Sequence, residues 1–229
     1  MCFSAEASFT AAALLVPTGA LSMARAYQTD HRYVPIAAVP LLFGLQQALE
    51  GAIWVANGNA FLVEHFSLAY MFFSWLAWPV WVPFSAYFLE SERRKPLYLV
   101  LAIVGGMLGA AQYFPYFAHE GWLTTRFLPR VISYEGKELF DYVIGRHITY
   151  TIYVAVVVGS LVLSRDVNVR IFGLLVAAVL VITYLFFSYA YISVFCFGAA
   201  LMSFYLVWMI FGGGLRPRTR SVHSVGRMA

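Results

Sequence analysis

Residues Ile171–Ser188 read IFGLLVAAVLVITYLFFS, a stretch that contains no charged side chain. A helix needs about 20 apolar residues to cross a hydrocarbon core of roughly 30 Å, and this stretch comes close to that length. Working outward along the chain, six further runs have the same character. The seven predicted membrane helices are Ser8–Tyr27, Val34–Ala56, Phe66–Leu89, Leu97–Phe117, His147–Leu163, Ile171–Ser188 and Ala190–Phe211.

The composition of the whole chain agrees with this pattern. Hydrophobic residues make up 62% of the 229 residues and charged residues only 11%, which is too little charge for the polar shell of a water-soluble domain. Transmembrane β-strands would alternate in hydrophobicity over about 10 residues, and these runs do not alternate. The sequence therefore predicts an all-α polytopic membrane bundle of seven transmembrane helices, with residues 1–214 as the membrane domain.

Lysine and arginine residues concentrate in alternate loops. They follow predicted helices 1, 3, 5 and 7, whereas the N-terminus and the loops after helices 2 and 6 contain none. Because basic loops stay in the cytoplasm, we expect an inner-membrane protein with its N-terminus outside and its C-terminus inside. The basic flanks account for the net charge of +4 through contact with anionic lipid, so no nucleic-acid partner is expected. Residues 215–229 are predicted to form a basic, disordered cytoplasmic tail.

The longest stretch between predicted helices is residues 118–146, on the predicted outer side between helices 4 and 5. Within it, Arg130–Tyr142 reads RVISYEGKELFDY, with β-branched and aromatic residues on both sides of Glu135-Gly136-Lys137. This pattern predicts a short extracytoplasmic hairpin, with two strands joined by a turn at these three residues. We expect the hairpin to cap the outer face of the bundle.

Glu50 is the only Asp or Glu that lies well inside any predicted span. At about 1.5 Å per residue, it lies roughly 9 Å below the outer end of predicted helix 2. A carboxylate at this depth is costly unless it is paired, protonated or bound to a metal, and such groups commonly mark functional sites. We therefore expect a polar side chain from another helix within its reach, with Gln112, His119 and His147 as the candidates. The alternative is a protonated glutamate that only joins two helices.

Other polar residues accompany Glu50 in the predicted bundle. Gln46, Gln47 and Trp54 share a helical stripe with Glu50, because they are spaced close to whole turns apart. Gln112 lies on predicted helix 4, in the outer half of the bundle. These residues are the predicted binding residues of an outward-facing intramembrane site.

Three histidines fall on the predicted outer side. His119 follows predicted helix 4, and His147 begins helix 5 with Tyr150 one turn later as a further binding residue. Histidine and carboxylate ligands suit a divalent transition metal such as zinc, so Glu50, His119 and His147 are the predicted metal ligands. Glu50 and His147 are also the predicted catalytic pair. The third histidine, His65, is interpreted as an interfacial residue that faces lipid headgroups.

Several short motifs resemble one known family. They are Met1-Cys2-Phe3-Ser4-Ala5, Gln46-Gln47-Ala48-Leu49-Glu50-Gly51-Ala52-Ile53-Trp54, Trp78-Pro79 and Val82-Pro83. In these motifs the chain resembles a family of small bacterial seven-helix membrane proteins that begin Met-Cys-Phe-Ser-Ala and whose function is undescribed. The resemblance implies the membrane topology and supports the interest in Glu50, but it implies no reaction.

These observations leave three functions open. The first is a metal-dependent hydrolase or hydratase, in which a metal near Glu50 activates water. The second is a carrier or channel for a small solute or proton, with Glu50 as the titrating group. The third is a structural subunit that packs into a larger membrane assembly or oligomer through its aromatic surface. The expected partners are the lipid bilayer and a small molecule, since aromatic residues deep in the bundle are able to line a cavity for an apolar or ring-bearing ligand.

Overall fold

The computed structural model describes residues 4–137, 139 and 145–212. Within these residues the chain forms a bundle of seven long helices, numbered α1 to α7 in chain order. They are Ala5–Thr29 (α1), His31–Val55 (α2), Ala60–Tyr87 (α3), Lys95–Ala118 (α4), Arg146–Val162 (α5), Val167–Phe186 (α6) and Tyr191–Phe211 (α7). The predicted tail, residues 215–229, lies outside the described residues.

Six of these helices are long and apolar enough to cross a membrane, which is compatible with a multi-pass membrane protein. The exception is α5, which has 17 residues, so a seventh crossing stays a prediction. Each predicted run overlaps one helix. The largest difference is at α3, which begins at Ala60 because the Asn59 side chain accepts a hydrogen bond from the Leu62 amide and caps the helix there.

Four of the long helices are interrupted. In α2, a 3₁₀ turn at His31–Tyr33 and a short helix Val34–Ala37 precede the regular helix Val39–Val55, and in α4 the regular helix Lys95–Tyr113 is followed by Pro115–Ala118. The interruption in α7 separates Tyr191–Met202 from Phe204–Phe211. The most unusual one is in α3, where a π-helix, Phe72–Ala77, connects the α-helical parts Ala60–Met71 and Trp78–Tyr87. Short π-helical segments inside α-helices are rare and frequently occur at functional sites.

A two-stranded antiparallel sheet lies between α4 and α5. Strand β1 spans Leu123–Leu128, strand β2 spans Val131–Gly136, and Leu128 pairs with Val131 across the loop. The predicted turn position is therefore wrong, since Glu135 and Gly136 belong to β2. Pro129 opens the two-residue loop instead, because its ring pre-sets the backbone angle that a tight turn requires. Of the second predicted strand, residues 138–142, only Leu139 lies within the described residues.

Helices α3 and α4 pack without intervening side chains. A Cβ atom added at Gly105 or Gly109 would lie 2.1 Å from the carbonyl oxygen of Pro79 or of Trp75, respectively. Only glycine therefore permits this approach, which brings the backbone of α4 against the π-helical segment of α3. The close contact fixes the position of the residues that the π-helix carries.

The end of the bundle that is predicted to face the cytoplasm is held by a second buried carboxylate. Glu90, in the loop after α3, accepts hydrogen bonds from the Ser164 hydroxyl (3.0 Å) and the Arg165 amide (2.7 Å) in the loop between α5 and α6. In the same region the Tyr33 hydroxyl donates to Asp166 (2.5 Å), the residue that caps α6. These bonds join the start of α2, the end of α3 and the start of α6.

Candidate functional site

The Glu50 side chain is buried, with 2% of its surface exposed. Its Oε1 atom accepts a hydrogen bond from the Ser193 hydroxyl on α7. The prediction that a polar side chain from another helix reaches Glu50 is thus confirmed, but the partner is none of the three predicted candidates. Ser193 itself was not foreseen, and the available signal was modest, since it is one small hydroxyl in an otherwise apolar stretch of the sequence.

A second set of hydrogen bonds begins one turn away on α2. The Gln46 amide donates to the Ser74 hydroxyl (3.1 Å) and accepts from the Trp78 indole N–H (2.9 Å). The Ser74 hydroxyl also lies 3.7 Å from the Cys196 thiol of α7. The Ser74 carbonyl, within the π-helix, accepts from the Tyr153 hydroxyl of α5 at 2.6 Å. The π-helical turn therefore connects α2, α5 and α7 through one serine.

The β-hairpin covers this region of the bundle. Tyr134 of β2 stacks on Tyr70 of α3, with ring centroids 4.8 Å apart, and the Thr125 hydroxyl of β1 donates to Ser67 of α3 at 2.7 Å. Burial raises the pKa of Tyr134 well above its ordinary value. Tyr134 therefore stays neutral at physiological pH. In this structure the Glu50 carboxylate is enclosed and does not open outward.

The other predicted binding residues of α2 and α4 have different surroundings. Gln47 is fully buried and lies beside the Glu50 carboxylate. Gln112 is fully buried on α4. Trp54 contacts the hairpin instead, because its ring packs edge-on against Phe127 of β1 at a centroid distance of 5.8 Å.

The two histidines predicted as metal ligands, His119 and His147, do not contact Glu50. His119 is exposed and stacks on Trp122 at 4.3 Å, and His147 is exposed at the start of α5. Among the described residues no hydrogen bond or ion pair connects either ring to Glu50, and no group of three or more His, Cys, Asp or Glu residues could hold a metal ion. The predicted metal site is therefore not supported. The physical reason is that Glu50 is directed toward Ser193 of α7, whereas His147 lies at the exposed end of α5.

His65 is also exposed, on the first part of α3. Its Nδ1 atom lies 2.8 Å from the carbonyl oxygen of Phe61, one turn earlier, and its ring lies 4.0 Å from the Phe61 ring. The side chain thus lies along its own helix, away from the buried polar residues. Its role at the lipid headgroups stays a prediction.

A large cavity lies between α5, α6 and α7 and reaches the π-helix of α3. Its volume is about 620 Å³. Ser74, Tyr153 and Cys196 form its inner wall and connect it to the polar residues of α2. The sequence predicts that aromatic residues are able to line a cavity but not where it lies, because the lining residues belong to helices that are separate in the chain. The residues along its apolar length are Val154, Val157, Val158, Leu180, Val181, Leu185, Ile192 and Phe195.

Aromatic residues form one side of this cavity. Trp75 stacks on Tyr150 with ring centroids 5.7 Å apart, and it meets Tyr153 edge-on at 5.6 Å. The Tyr150 hydroxyl is in direct contact with the Tyr191 hydroxyl of α7. The predicted binding residue Tyr150 thus lies at a cavity, although this cavity is not centred on Glu50.

The cavity is open on one side. Val181, Tyr184 and Leu185 of α6 line it, and their exposed fractions are 56%, 74% and 66%. A bilayer around the apolar helices would place lipid chains against this opening. The cavity would then be accessible from the membrane, whereas packed helices and the hairpin enclose Glu50.

Comparison with known proteins gives a family and no activity. Residues 1–221 match a family of unknown function, DUF6629. No curated protein and no solved structure matches the chain. The match extends over almost the whole sequence and agrees with the resemblance to an uncharacterised family. The chain therefore belongs to DUF6629, a family of unknown function.

Proposed function

We propose that this protein binds an amphiphilic, largely apolar molecule that enters the cavity between α5, α6 and α7 from the bilayer. The observation that carries the proposal is the composition of the cavity lining. Its walls are mainly aliphatic and aromatic, and a few polar groups, including Ser74, Thr151 and Cys196, converge on it. Ligand sites of about 300–1,000 Å³ have this composition. A strongly hydrated solute would lose its water against such walls, so a lipid-soluble molecule is the better match.

Glu50 takes part in this function through α7. Its hydrogen bond fixes Ser193, and Cys196 on the next turn of α7 contacts the cavity. The polar residues of α2 thus hold one wall of the binding site in place. With the proposed N-out, C-in orientation in the inner membrane, the end of the cavity at Arg146 lies in the outer leaflet.

A proton-linked carrier is the second function we propose for the same cavity. One observation favours it: within the described part of the chain, no basic side chain forms an ion pair with the buried Glu50. A buried intramembrane carboxylate without an ion-pair partner is the kind of group that proton relays in transporters use. Ligand binding by the wild type should then take up or release protons in weakly buffered solution, and Glu50→Gln should abolish that exchange. Equal proton exchange by the two proteins would exclude the carrier mechanism.

The binding function is tested with a photoreactive hexadecanol that carries a diazirine in its chain. Irradiation of the purified protein should attach the probe to peptides from α5 and α6 that line the cavity. Val181→Trp places a large side chain in the opening and should reduce labelling several-fold. Leu174→Trp is the matched control, because Leu174 is also exposed on α6 (54%) but does not line the cavity. Equal labelling of the two variants, or labelling spread over all exposed helix faces, would refute the proposal.

A further inference from the structure

The lining of the cavity changes character along α5. Charged and hydroxyl-bearing residues line its first turns, and valines line the turns that follow. The cavity thus has a polar end, at the start of α5, and an apolar body. In order along α5, the lining residues are Arg146, His147, Tyr150, Thr151, Tyr153, Val154, Val157 and Val158.

The length of the cavity lining along α5 matches the thickness of one lipid leaflet. From His147 to Val158 the helix rises by about 16 Å, at 1.5 Å per residue. The hydrocarbon core of a bilayer is about 30 Å thick, so one leaflet contributes roughly half of that. A single hydrocarbon chain lying along α5 would therefore have its head at the polar end and its tail near the middle of the membrane.

We infer that the ligand is a long-chain fatty acid, with its carboxylate at Arg146 and its chain along the apolar body of the cavity. The inference rests on the proposed function and names its ligand class. Arginine presents several N–H donors in a planar arrangement that matches the two oxygens of a carboxylate. The Tyr150 and Tyr191 hydroxyls, which are in contact with each other, line the same end and add to its polarity. A neutral headgroup would gain little from the guanidinium.

The opening of the cavity suits this ligand. Val181 and Leu185, which line the opening, are more than half exposed, so a chain is able to enter sideways from the lipid. The carboxylate need not cross the hydrocarbon, because Arg146 and His147 are exposed at the end of the helix. A volume of about 620 Å³ lies in the range of sites for one small molecule, so we assign one chain and not the two chains of a phospholipid.

The test compares palmitate with hexadecanol, which has the same chain length and no charge. Equilibrium binding to the purified protein in detergent should be at least tenfold tighter for palmitate. Arg146→Gln should weaken palmitate binding about tenfold and leave hexadecanol binding unchanged. Arg146→Lys should keep part of the preference for palmitate over hexadecanol. Arg126→Gln is the matched control, because Arg126 is an exposed arginine of β1 that pairs with Glu135 and does not line the cavity.

The outcomes separate this inference from the proposed function. Equal affinity for palmitate and hexadecanol, or an Arg146→Gln variant that binds palmitate like the wild type, would overturn the fatty-acid assignment and leave binding of an amphiphile intact. Absence of binding for both compounds would overturn both proposals. Phosphatidylglycerol is tested as a third ligand, in competition with palmitate. Displacement of palmitate by an equal concentration of this lipid would assign the cavity to a phospholipid and overturn the inference.

Discussion

Gly109 has no room for a side chain where α4 meets the π-helix of α3. A Cβ atom there would lie 2.1 Å from the Trp75 carbonyl oxygen, and ordinary van der Waals contact begins at 3.4 Å. In Gly109→Ala the two helices would have to separate by the difference, about 1.3 Å. We expect this overpacking to lower the free energy of unfolding by about 1–3 kcal/mol. Alanine normally stabilises a helix by up to about 1 kcal/mol relative to glycine, so the strain must exceed that gain.

The assay is thermal unfolding of the purified protein in detergent, followed by circular dichroism. Gly159→Ala is the control, because a Cβ at Gly159 of α5 would meet nothing within 4 Å. It should unfold at or slightly above the temperature of the wild type. Gly109→Ala should unfold earlier and should also label less with the hexadecanol probe, since Trp75 lines the cavity. The packing argument is wrong if Gly109→Ala is as stable as Gly159→Ala.

Three further predictions concern the two ends of the bundle and its orientation. Glu90→Ala leaves the buried Ser164 hydroxyl and the partly buried Arg165 amide without their acceptor, and it should lower the free energy of unfolding by about 1–3 kcal/mol. The control is Glu92→Ala, because the Glu92 side chain is exposed; it should change the free energy of unfolding by less than about 0.5 kcal/mol. If Glu90→Ala and Glu92→Ala lowered the free energy of unfolding equally, the account of the Glu90 bonds would be contradicted. Ser193→Ala should also lower the free energy of unfolding by about 1–3 kcal/mol, because the Glu50 carboxylate loses its hydrogen-bond donor. An unchanged unfolding temperature would argue against the Ser193–Glu50 bond. A reporter active only in the cytoplasm should be active at the C-terminus and silent at Gly136, and the reverse pattern would refute the orientation.

The helices were predictable because their signal is local. A run of about 20 apolar residues has few alternatives to a helix that crosses a membrane, and each predicted run overlaps a helix of the structure. The hairpin turn was misplaced by several residues, since Glu135-Gly136-Lys137 has turn-forming composition but continues β2. The pairing with β1 decides the turn position, and residues 123–128 carry no strong strand pattern of their own. Strand propensity depends strongly on such partners.

The site was predictable only in part, for a related reason. Glu50 stands out because a single carboxylate within an apolar run is visible in the sequence. Its partner Ser193 is 143 residues away, and helix proximity over that separation leaves no local pattern. The sequence pairs His147 with Glu50 because both fall on the predicted outer side and suit a metal, whereas the packing directs Glu50 to Ser193 of α7. Aromatic residues deep in the bundle indicate a cavity, but its position depends on helix packing, and no local pattern gives that.

The measurement that tests the binding proposal most directly is the reactivity of Cys196 from within the cavity. The chain has two cysteines, and Cys2→Ser leaves Cys196 as the only thiol. Cys196 lines the inner wall of the cavity, so small, membrane-permeant iodoacetamide should alkylate it slowly in the ligand-free protein at alkaline pH, where the reactive thiolate forms. Palmitate should slow this alkylation in a saturable manner, and Val181→Trp should slow it without any ligand. An alkylation rate that stays constant up to saturating palmitate would show that the cavity does not hold the ligand.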